Sequence, residues 1–249
     1  MIVDFRLFLV ITGSFVLICT GCAPPIQTIE IYSNGQPKFA REYKVITNGL
    51  VKDSITVKLI KYYRNGMRQY HQEIINNQAN GQYFSWHSTG VKSAEGRYLN
   101  GELSDKWIWW GKNGLPDSMR TFRNEMLHGE YIDYFGNGKP HKLMDYVENK
   151  KYGYYKEFDE KGKKVSVGEY RNDIPHGNWV WWQNKIKTRE LTYDNGLKNG
   201  PFIIYNKLGK KKIIGQYKNN KKDGKWNWFS DQKGLDSLIV YNNNQYNGE

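Results

Sequence analysis

The chain has 249 residues and a formal net charge of +12, and hydrophobic residues make up only 39% of it, although aromatic residues alone reach 15%. This content of Tyr and Trp favours a thin sheet with a wet side over a thick aliphatic core. The two cysteines are Cys19 and Cys22, so neither a disulfide nor a thiolate metal site can form after residue 22. The basic charge by itself would suit nucleic acid, anionic lipid or acidic glycan.

The first 25 residues have the pattern of an export signal. Residues 7–18 form an apolar run that is shorter than the roughly 20 residues of a membrane span but matches a signal-peptide core. Cys-Thr-Gly-Cys follows at residues 19–22, and this stretch resembles the lipobox of bacterial lipoprotein signal peptides. The resemblance implies a signal peptide over residues 1–21, lipidation of Cys22 and a short tether over residues 22–25.

A lipidated Cys22 would hold the chain at a membrane, because several acyl chains together anchor stably where one is marginal. Ala23 follows the cysteine, and by analogy with lipoproteins an inner-membrane retention signal is absent. We therefore expect the protein in the bacterial cell envelope, at the outer membrane and facing the periplasm. This location argues against nucleic acid as a partner. It leaves a protein partner or, alternatively, cell-wall glycan or anionic lipid.

A repeat of about 24 residues runs through the rest of the chain. An anchor glycine opens each repeat, aromatic residues follow at +2, +5 and +17, and a turn glycine stands at +9. We interpret six anchor glycines as structural: Gly81, Gly129, Gly153, Gly177, Gly200 and Gly224. Asp105 takes the anchor position in another repeat. Residues 26–56 form a degenerate first repeat with an insertion at 51–56, and residues 57–249 form the regular array, which gives nine repeats in all.

Each repeat predicts a β-hairpin. Its first strand is aromatic, and Asn-Gly pairs such as Asn65-Gly66 and Asn137-Gly138 supply the positive φ angles of a tight turn. The second strand is centred on the +17 aromatic residue, and a polar stretch such as residues 218–223 returns the chain to the next repeat. No segment shows sustained helical periodicity. The predicted fold class is all-β, an elongated antiparallel meander of stacked β-hairpin repeats that stabilise their neighbours.

The repeat resembles MORN-type repeats, specifically the bacterial variant of the toxin–antitoxin system YwqK-family antitoxins. The shared pattern includes a closing pair before each new repeat, as in His176-Gly177 and Asp223-Gly224, and it covers about two-thirds of the chain from residue 80 onward. The resemblance implies a scaffold or partner-binding surface, a lipid-headgroup binder in some arrays, and neutralisation of a toxin for the antitoxin type. It implies no catalytic residue and no cofactor.

Candidate contact residues come from the +4 position. It holds Trp109, Trp181 and Trp228 in three repeats but Asp133 and Glu157 in two others, so stacking alone does not explain tryptophan there. Residues +2 and +4 lie on the same face of a strand. We therefore interpret the three tryptophans as partly exposed residues that contact a protein partner or a glycan. Packing is the alternative interpretation.

Metal and catalytic sites receive little support. His128 and His176 precede anchor glycines, where we expect turn residues, and lie roughly 19 Å apart by strand spacing, too far for one metal ion. Asp133 and Glu157, roughly 9.5 Å apart, suit a glycosidase pair, but a flat ribbon offers no cleft. We predict a non-enzymatic, membrane-anchored repeat lipoprotein that presents its ribbon as a protein-interaction scaffold. The alternatives are an antitoxin or immunity protein and a binder of cell-wall glycan or anionic lipid.

Overall fold

A computed structural model describes residues 24–48, 51–230 and 234–246. In these ranges the chain forms nineteen β-strands and no helix. The strands are β1 Ile26–Ile31, β2 Pro37–Asn48, β3 Val51–Tyr62, β4 Arg68–Ile75, β5 Gln78–Trp86, β6 Lys92–Leu99, β7 Glu102–Trp110, β8 Pro116–Arg123, β9 Met126–Tyr134, β10 Pro140–Val147, β11 Lys150–Phe158, β12 Lys164–Arg171, β13 Ile174–Gln183, β14 Ile186–Asp194, β15 Leu197–Tyr205, β16 Lys211–Lys218, β17 Lys221–Ser230, β18 Gly234–Asn242 and β19 Gln245–Tyr246. The predicted signal peptide and the lipidation site at Cys22 lie outside the described residues.

The chain divides into two compact units, with the division inside β6. Of the described residues, the N-terminal unit comprises 24–48, 51–92 and 98–101, and the C-terminal unit comprises 93–97, 102–230 and 234–246. In the N-terminal unit, β1 to β5 pair antiparallel in sequence order. In the C-terminal unit, β7 to β19 do the same. The predicted fold class, an all-β antiparallel meander of hairpins, is confirmed.

The turn within a repeat differs from the predicted one. Gly66 has a φ of 81° and Gly138 a φ of 78°, but Asn65 and Asn137 have no positive φ. The Asn65 side chain instead accepts a hydrogen bond from the Met67 N–H at 3.1 Å. This is an Asx-type contact that stabilises the turn without a left-handed asparagine. The prediction that both residues of the Asn-Gly pair adopt positive φ is therefore wrong.

Pairs of left-handed residues occur elsewhere, mainly in the turn that joins one repeat to the next. Asparagine and aspartate tolerate this conformation better than other residues with a Cβ. Pairs in which both residues have positive φ are Asn76-Asn77, Asn100-Gly101, Asn124-Glu125, Glu148-Asn149, Asn172-Asp173, Asn184-Lys185, Asn195-Gly196, Asn219-Asn220 and Asn243-Asn244. The side chain of the second residue also accepts a hydrogen bond from the strand that follows the preceding closing turn: Lys198 N–H on β15 donates to Asn220 Oδ1 at 2.8 Å, and Lys151 N–H on β11 donates to Asp173 Oδ1 at 2.9 Å.

The anchor glycines lie inside strands, where each coincides with a change of register. Against the preceding strand, Tyr131 pairs with Arg120, but Leu127 pairs with Phe122, so β9 holds extra residues around Gly129. Gly129 has a φ of 102° at this β-bulge. A positive φ at a bulge is the situation in which glycine avoids the strain that a Cβ would cause.

Every anchor shares this backbone geometry. The φ values are 114° at Gly81, 102° at Gly129, 93° at Gly153, 67° at Gly177, 113° at Gly200 and 67° at Gly224. Asp105 adopts a φ of 60° at the same position. His128 lies in β9 and His176 in β13, so the expectation that these histidines are turn residues is wrong.

The insertion before the regular array lengthens one hairpin. Residues 51–56 belong to β3, where Thr56 pairs with Tyr43 and Lys52 pairs with Thr47. The strands β2 and β3 therefore have 12 residues each.

The buried centre of the C-terminal unit lies on the face that carries the +2 side chains. The fully buried tryptophans of this face are Trp107, Trp179 and Trp226, which are 3%, 6% and 2% exposed. Each indole N–H donates to a backbone carbonyl of the preceding strand, as Trp179 Nε1 does to Glu169 O at 3.2 Å. The polar edge of each buried ring is therefore satisfied.

Candidate functional site

One residue from each of twelve consecutive strands, β7 to β18, lies on a line across the sheet of the C-terminal unit. Each residue of this line is the direct Cα partner of the next. We call it the +4 row: Trp109, Ser118, Asp133, Lys142, Glu157, Ser166, Trp181, Arg189, Ile204, Ile213, Trp228 and Ser237. Because strands lie about 4.8 Å apart, Trp109 and Trp181 are roughly 29 Å apart before twist. The three tryptophans predicted as contact residues thus share one face.

Each +4 tryptophan packs against the buried +2 tryptophan of its own strand. The ring centroids of Trp179 and Trp181 lie 5.8 Å apart with 28° between the planes. Trp107 and Trp109 lie 5.7 Å apart with 24° between theirs, and the Trp226–Trp228 pair lies 6.1 Å apart. All three +4 rings are half-buried. They are therefore fixed from one side and reachable by solvent from another.

A cation lies near each +4 ring, and for Trp109 and Trp181 it comes from the next strand. The guanidinium carbon Cζ of Arg120 is 5.3 Å from the Trp109 ring centroid, and that of Arg189 is 3.8 Å from the Trp181 centroid. Lys222 places Nζ 5.8 Å from the Trp228 ring on its own strand. Such contacts are favourable because the ring face is electron-rich. The Nε atoms of Arg120 and Arg189 are buried without a hydrogen-bond partner among the described residues.

Charged residues occupy the row between Trp109 and Trp181. Lys142 is the Cα partner of both Asp133 and Glu157, so the Cα atoms of the two acidic residues lie roughly 9.6 Å apart, with Lys142 between them in the row. Ser166 donates through Oγ to Glu157 Oε2 at 2.9 Å, and His141 Nε2 lies 3.8 Å from Oε1. Ser166 itself is only 2% exposed. Glu157 is thus held in place by its own neighbours.

Two tyrosine hydroxyls beside these carboxylates stay protonated. Burial, followed by the charge of Glu157, raises the pKa of Tyr155 far above its ordinary value. Burial and then Asp133 raise the pKa of Tyr131, while Arg120 partly offsets the rise. Both phenols therefore remain neutral hydrogen-bond donors throughout the physiological pH range.

Other kinds of site receive no support from the geometry. Among residues 24–48, 51–230 and 234–246, no group of three or more His, Cys, Asp or Glu side chains is arranged to hold a metal ion. His176 Nδ1 instead lies 3.8 Å from Asp194 Oδ1. Within the same ranges, no helix has the length and hydropathy to cross a membrane.

Two comparisons with known proteins find no match. No family model matches the chain, and no curated protein is significantly similar to it in sequence. The resemblance to MORN-type repeats therefore stays a prediction drawn from the residues.

Sequence reasoning missed the half of the +4 row that comes from second strands. These residues are Ser118, Lys142, Ser166, Arg189, Ile213 and Ser237. A signal was present, since each stands 13 residues after its anchor position, or 12 in the repeat that is one residue short. Recognising it requires the hairpin register, which follows from the length of the turn.

Proposed function

We propose that the protein is a non-enzymatic, membrane-anchored repeat lipoprotein whose +4 row is a docking surface for a protein partner. The observation that carries the proposal is the pairing of Trp109 with Arg120 and of Trp181 with Arg189. Tryptophan and arginine dominate the binding energy of protein interfaces when they lie in partly desolvated positions.

The packing below the row favours binding. Trp181 stacks with Trp179, and the Arg189 guanidinium also lies over its ring. A ring that is already ordered loses little conformational entropy when a partner covers it. The charged residues in the middle of the row, Asp133, Lys142 and Glu157, would set the register of the partner, because mismatched charges at an interface are costly.

Membrane anchoring is proposed from the lipobox-like residues 19–22. Replacing Cys22→Ala removes the thiol that would carry the lipid, so we expect the variant in the soluble fraction after cell lysis. A variant that still sediments with membranes would contradict the anchor.

The docking proposal is tested by affinity capture from intact cells with a C-terminally tagged chain and quantitative mass spectrometry. The informative variant is Trp181→Ser, because serine already occupies the row at Ser118 and Ser166. The matched control is Tyr154→Ser. Tyr154 is 71% exposed, and it precedes Tyr155 on the strand, so its side chain points to the opposite face.

We expect at least one protein that wild type and Tyr154→Ser enrich equally and that Trp181→Ser loses. A set of captured proteins that is the same for all three chains would contradict docking on the +4 row. Thermal melts of the variants show whether each one is folded.

A further inference from the structure

We propose that Arg189 binds a carboxylate of the partner, within an acidic segment whose flanking residues are apolar. This inference rests on the proposed function of the +4 row as a docking surface. It adds the chemistry of the segment that docks.

The Arg189 guanidinium lacks a counter-charge within the described part of the chain. It lies over the Trp181 ring at 3.8 Å, and its Nε is buried without a hydrogen-bond partner. Its Cα partners on both neighbouring strands, Trp181 and Ile204, have no carboxylate. The nearest acidic residue of the row is Glu157, three strands and roughly 14 Å away. The Oε2 atom of Glu157 is already bonded to Ser166.

Arg120 provides an internal comparison. It also lies over a +4 tryptophan, but its surroundings include a carboxylate of the chain itself. Tyr131 is the Cα partner of Arg120, and Asp133 stands two residues further along β9, on the same face as Tyr131. Arg120 therefore has an acidic neighbour, whereas the corresponding neighbour of Arg189 is Ile204.

A half-buried guanidinium without a carboxylate partner favours an incoming anion. Desolvation has already weakened its hydration, so a charge-assisted hydrogen bond is stronger there than at an exposed arginine. The planar fork of arginine fits the two oxygens of a carboxylate. Stacking on Trp181 holds the plane of that fork and reduces the entropy lost on binding.

The neighbours of Arg189 define the rest of the ligand. Trp181 stands on one side, and the row continues on the other side with Ile204, Ile213 and Trp228. Polyhydroxylated sugars would leave hydroxyl groups against isoleucine, where they lose hydrogen bonds. A peptide with an acidic residue between large apolar side chains satisfies both the cation and the apolar part of the row.

The test is a titration of the full-length chain, labelled with nitrogen-15, followed by NMR at the Arg189 Nε–H and the Trp181 indole N–H. The probes are an acetylated hexapeptide of alternating leucine and glutamate and its leucine–glutamine counterpart. Inorganic phosphate and phosphatidylglycerol vesicles are added in separate titrations. We expect both resonances to shift saturably with the glutamate peptide, and the glutamine peptide to bind roughly tenfold more weakly.

Two variants and a control make the assignment specific. Arg189→Gln should remove the preference for the glutamate peptide. Ile204→Glu should weaken the binding of that peptide, because it places a carboxylate beside Arg189. The control Arg171→Gln removes the same charge from an exposed arginine that is paired with Glu169 at 3.4 Å. This control should bind the glutamate peptide with an affinity within about twofold of the wild-type value, because exposed ion pairs interact weakly.

Equal binding of both peptides, equal effects of Arg189→Gln and Arg171→Gln, or no shift up to the solubility limit would overturn the proposal. Shifts produced by the vesicles or by phosphate but not by the peptide would also overturn it in favour of a lipid or a free anion. The result is separable from the docking proposal. Partner capture that depends on Trp181 but not on Arg189 would contradict the carboxylate site and leave the docking proposal standing.

Discussion

The Trp179 ring lies directly against the Cα of Gly168, where an added Cβ would sit 2.1 Å from ring carbon Cδ2. The same contact recurs between Trp107 and Gly96 and between Trp226 and Gly215, with 2.1 Å and 2.3 Å to the same ring atom. Where the +2 residue is the smaller Tyr155, its Cα partner is Met144. The size of each +2 ring is thus matched by the residue that faces it from the preceding strand.

Replacing Gly168→Ala should lower the free energy of unfolding by about 1–3 kcal/mol, the usual cost of overpacking a buried site. Gly168 has no positive φ, so steric overlap with Trp179 is the cause. Urea denaturation followed by tryptophan fluorescence measures the loss. The control is Gly136→Ala, where no atom lies within 4 Å of the added Cβ and the change should stay within about 0.5 kcal/mol. Equal losses in both variants would refute the ring contact as the cause.

Replacing Asp105→Gly should stabilise the protein by up to about 1 kcal/mol, because glycine adopts positive φ without the strain of a Cβ. Asp105 has a φ of 60° at an anchor position that is glycine in the neighbouring repeats. The control is Asp117→Gly on β8, where no positive φ exists and glycine should cost about 0.5–1 kcal/mol. Thermal melts compare the two variants, and destabilisation by both would show that the backbone of Asp105 carries no strain.

The closing turn at Asn219-Asn220 allows its two contributions to be separated. Asn220 has a φ of 68° and accepts a hydrogen bond from Lys198 N–H at 2.8 Å. Asn220→Ala loses both features, and we expect a cost of about 1–2 kcal/mol. Asn220→Gly keeps the conformation and should lose only the hydrogen bond, or about 1 kcal/mol. Chemical denaturation ranks the variants. If Asn220→Gly were as unstable as Asn220→Ala, the positive φ of Asn220 would contribute nothing to the cost.

Tyr205 and Glu190 make stability depend on pH. Tyr205 donates to Glu190 Oε1 at 2.7 Å, and burial together with this bond raises the pKa of Tyr205 to about 12. Burial alone would raise the pKa of Glu190, but the hydrogen bonds from Lys187 and Tyr205 outweigh it and lower that pKa below the ordinary value. The phenol therefore stabilises the fold below its unfolded pKa of about 10, and the carboxylate stabilises it above its unfolded pKa of about 4.3.

At neutral pH, Tyr205→Phe should cost about 1.5 kcal/mol, as for a hydrogen bond to a charged group. The difference between wild type and variant should shrink as pH rises from 10 to about 12 and the wild-type phenol ionises. It should also shrink on the acid side, as pH falls through the lowered pKa of Glu190. Denaturation at a series of pH values measures the difference. A gap that stays constant at both extremes would mean that the bond adds nothing to stability.

The hairpins were predictable because every repeat has the same spacing of glycine and aromatic residues, which marks two strands and the turn between them. The face shared by +2 and +4 followed from strand alternation. Turn chemistry did not follow in the same way. The Asn65-Gly66 pair is the strongest type of hairpin signal, but only Gly66 has a positive φ. In the turn at Asn219-Asn220, both residues have a positive φ although neither is glycine.

The cations over the +4 rings were beyond sequence reasoning for a physical reason. Arg189 meets Trp181 only because the two-residue turn at Asn184-Lys185 sets the register between β13 and β14. A register shifted by one residue would place Arg189 on the other face. Composition and spacing do not determine that register.

The most direct test of the docking surface is site-specific photo-crosslinking in intact cells, with benzoylphenylalanine in place of Trp181 and, as the control, in place of Tyr154. The two positions lie on opposite faces, and Tyr154 is the more exposed of the two. The account predicts a discrete light-dependent adduct with a protein at position 181 and none at position 154. No adduct at position 181, or the same adduct at both positions, would contradict it.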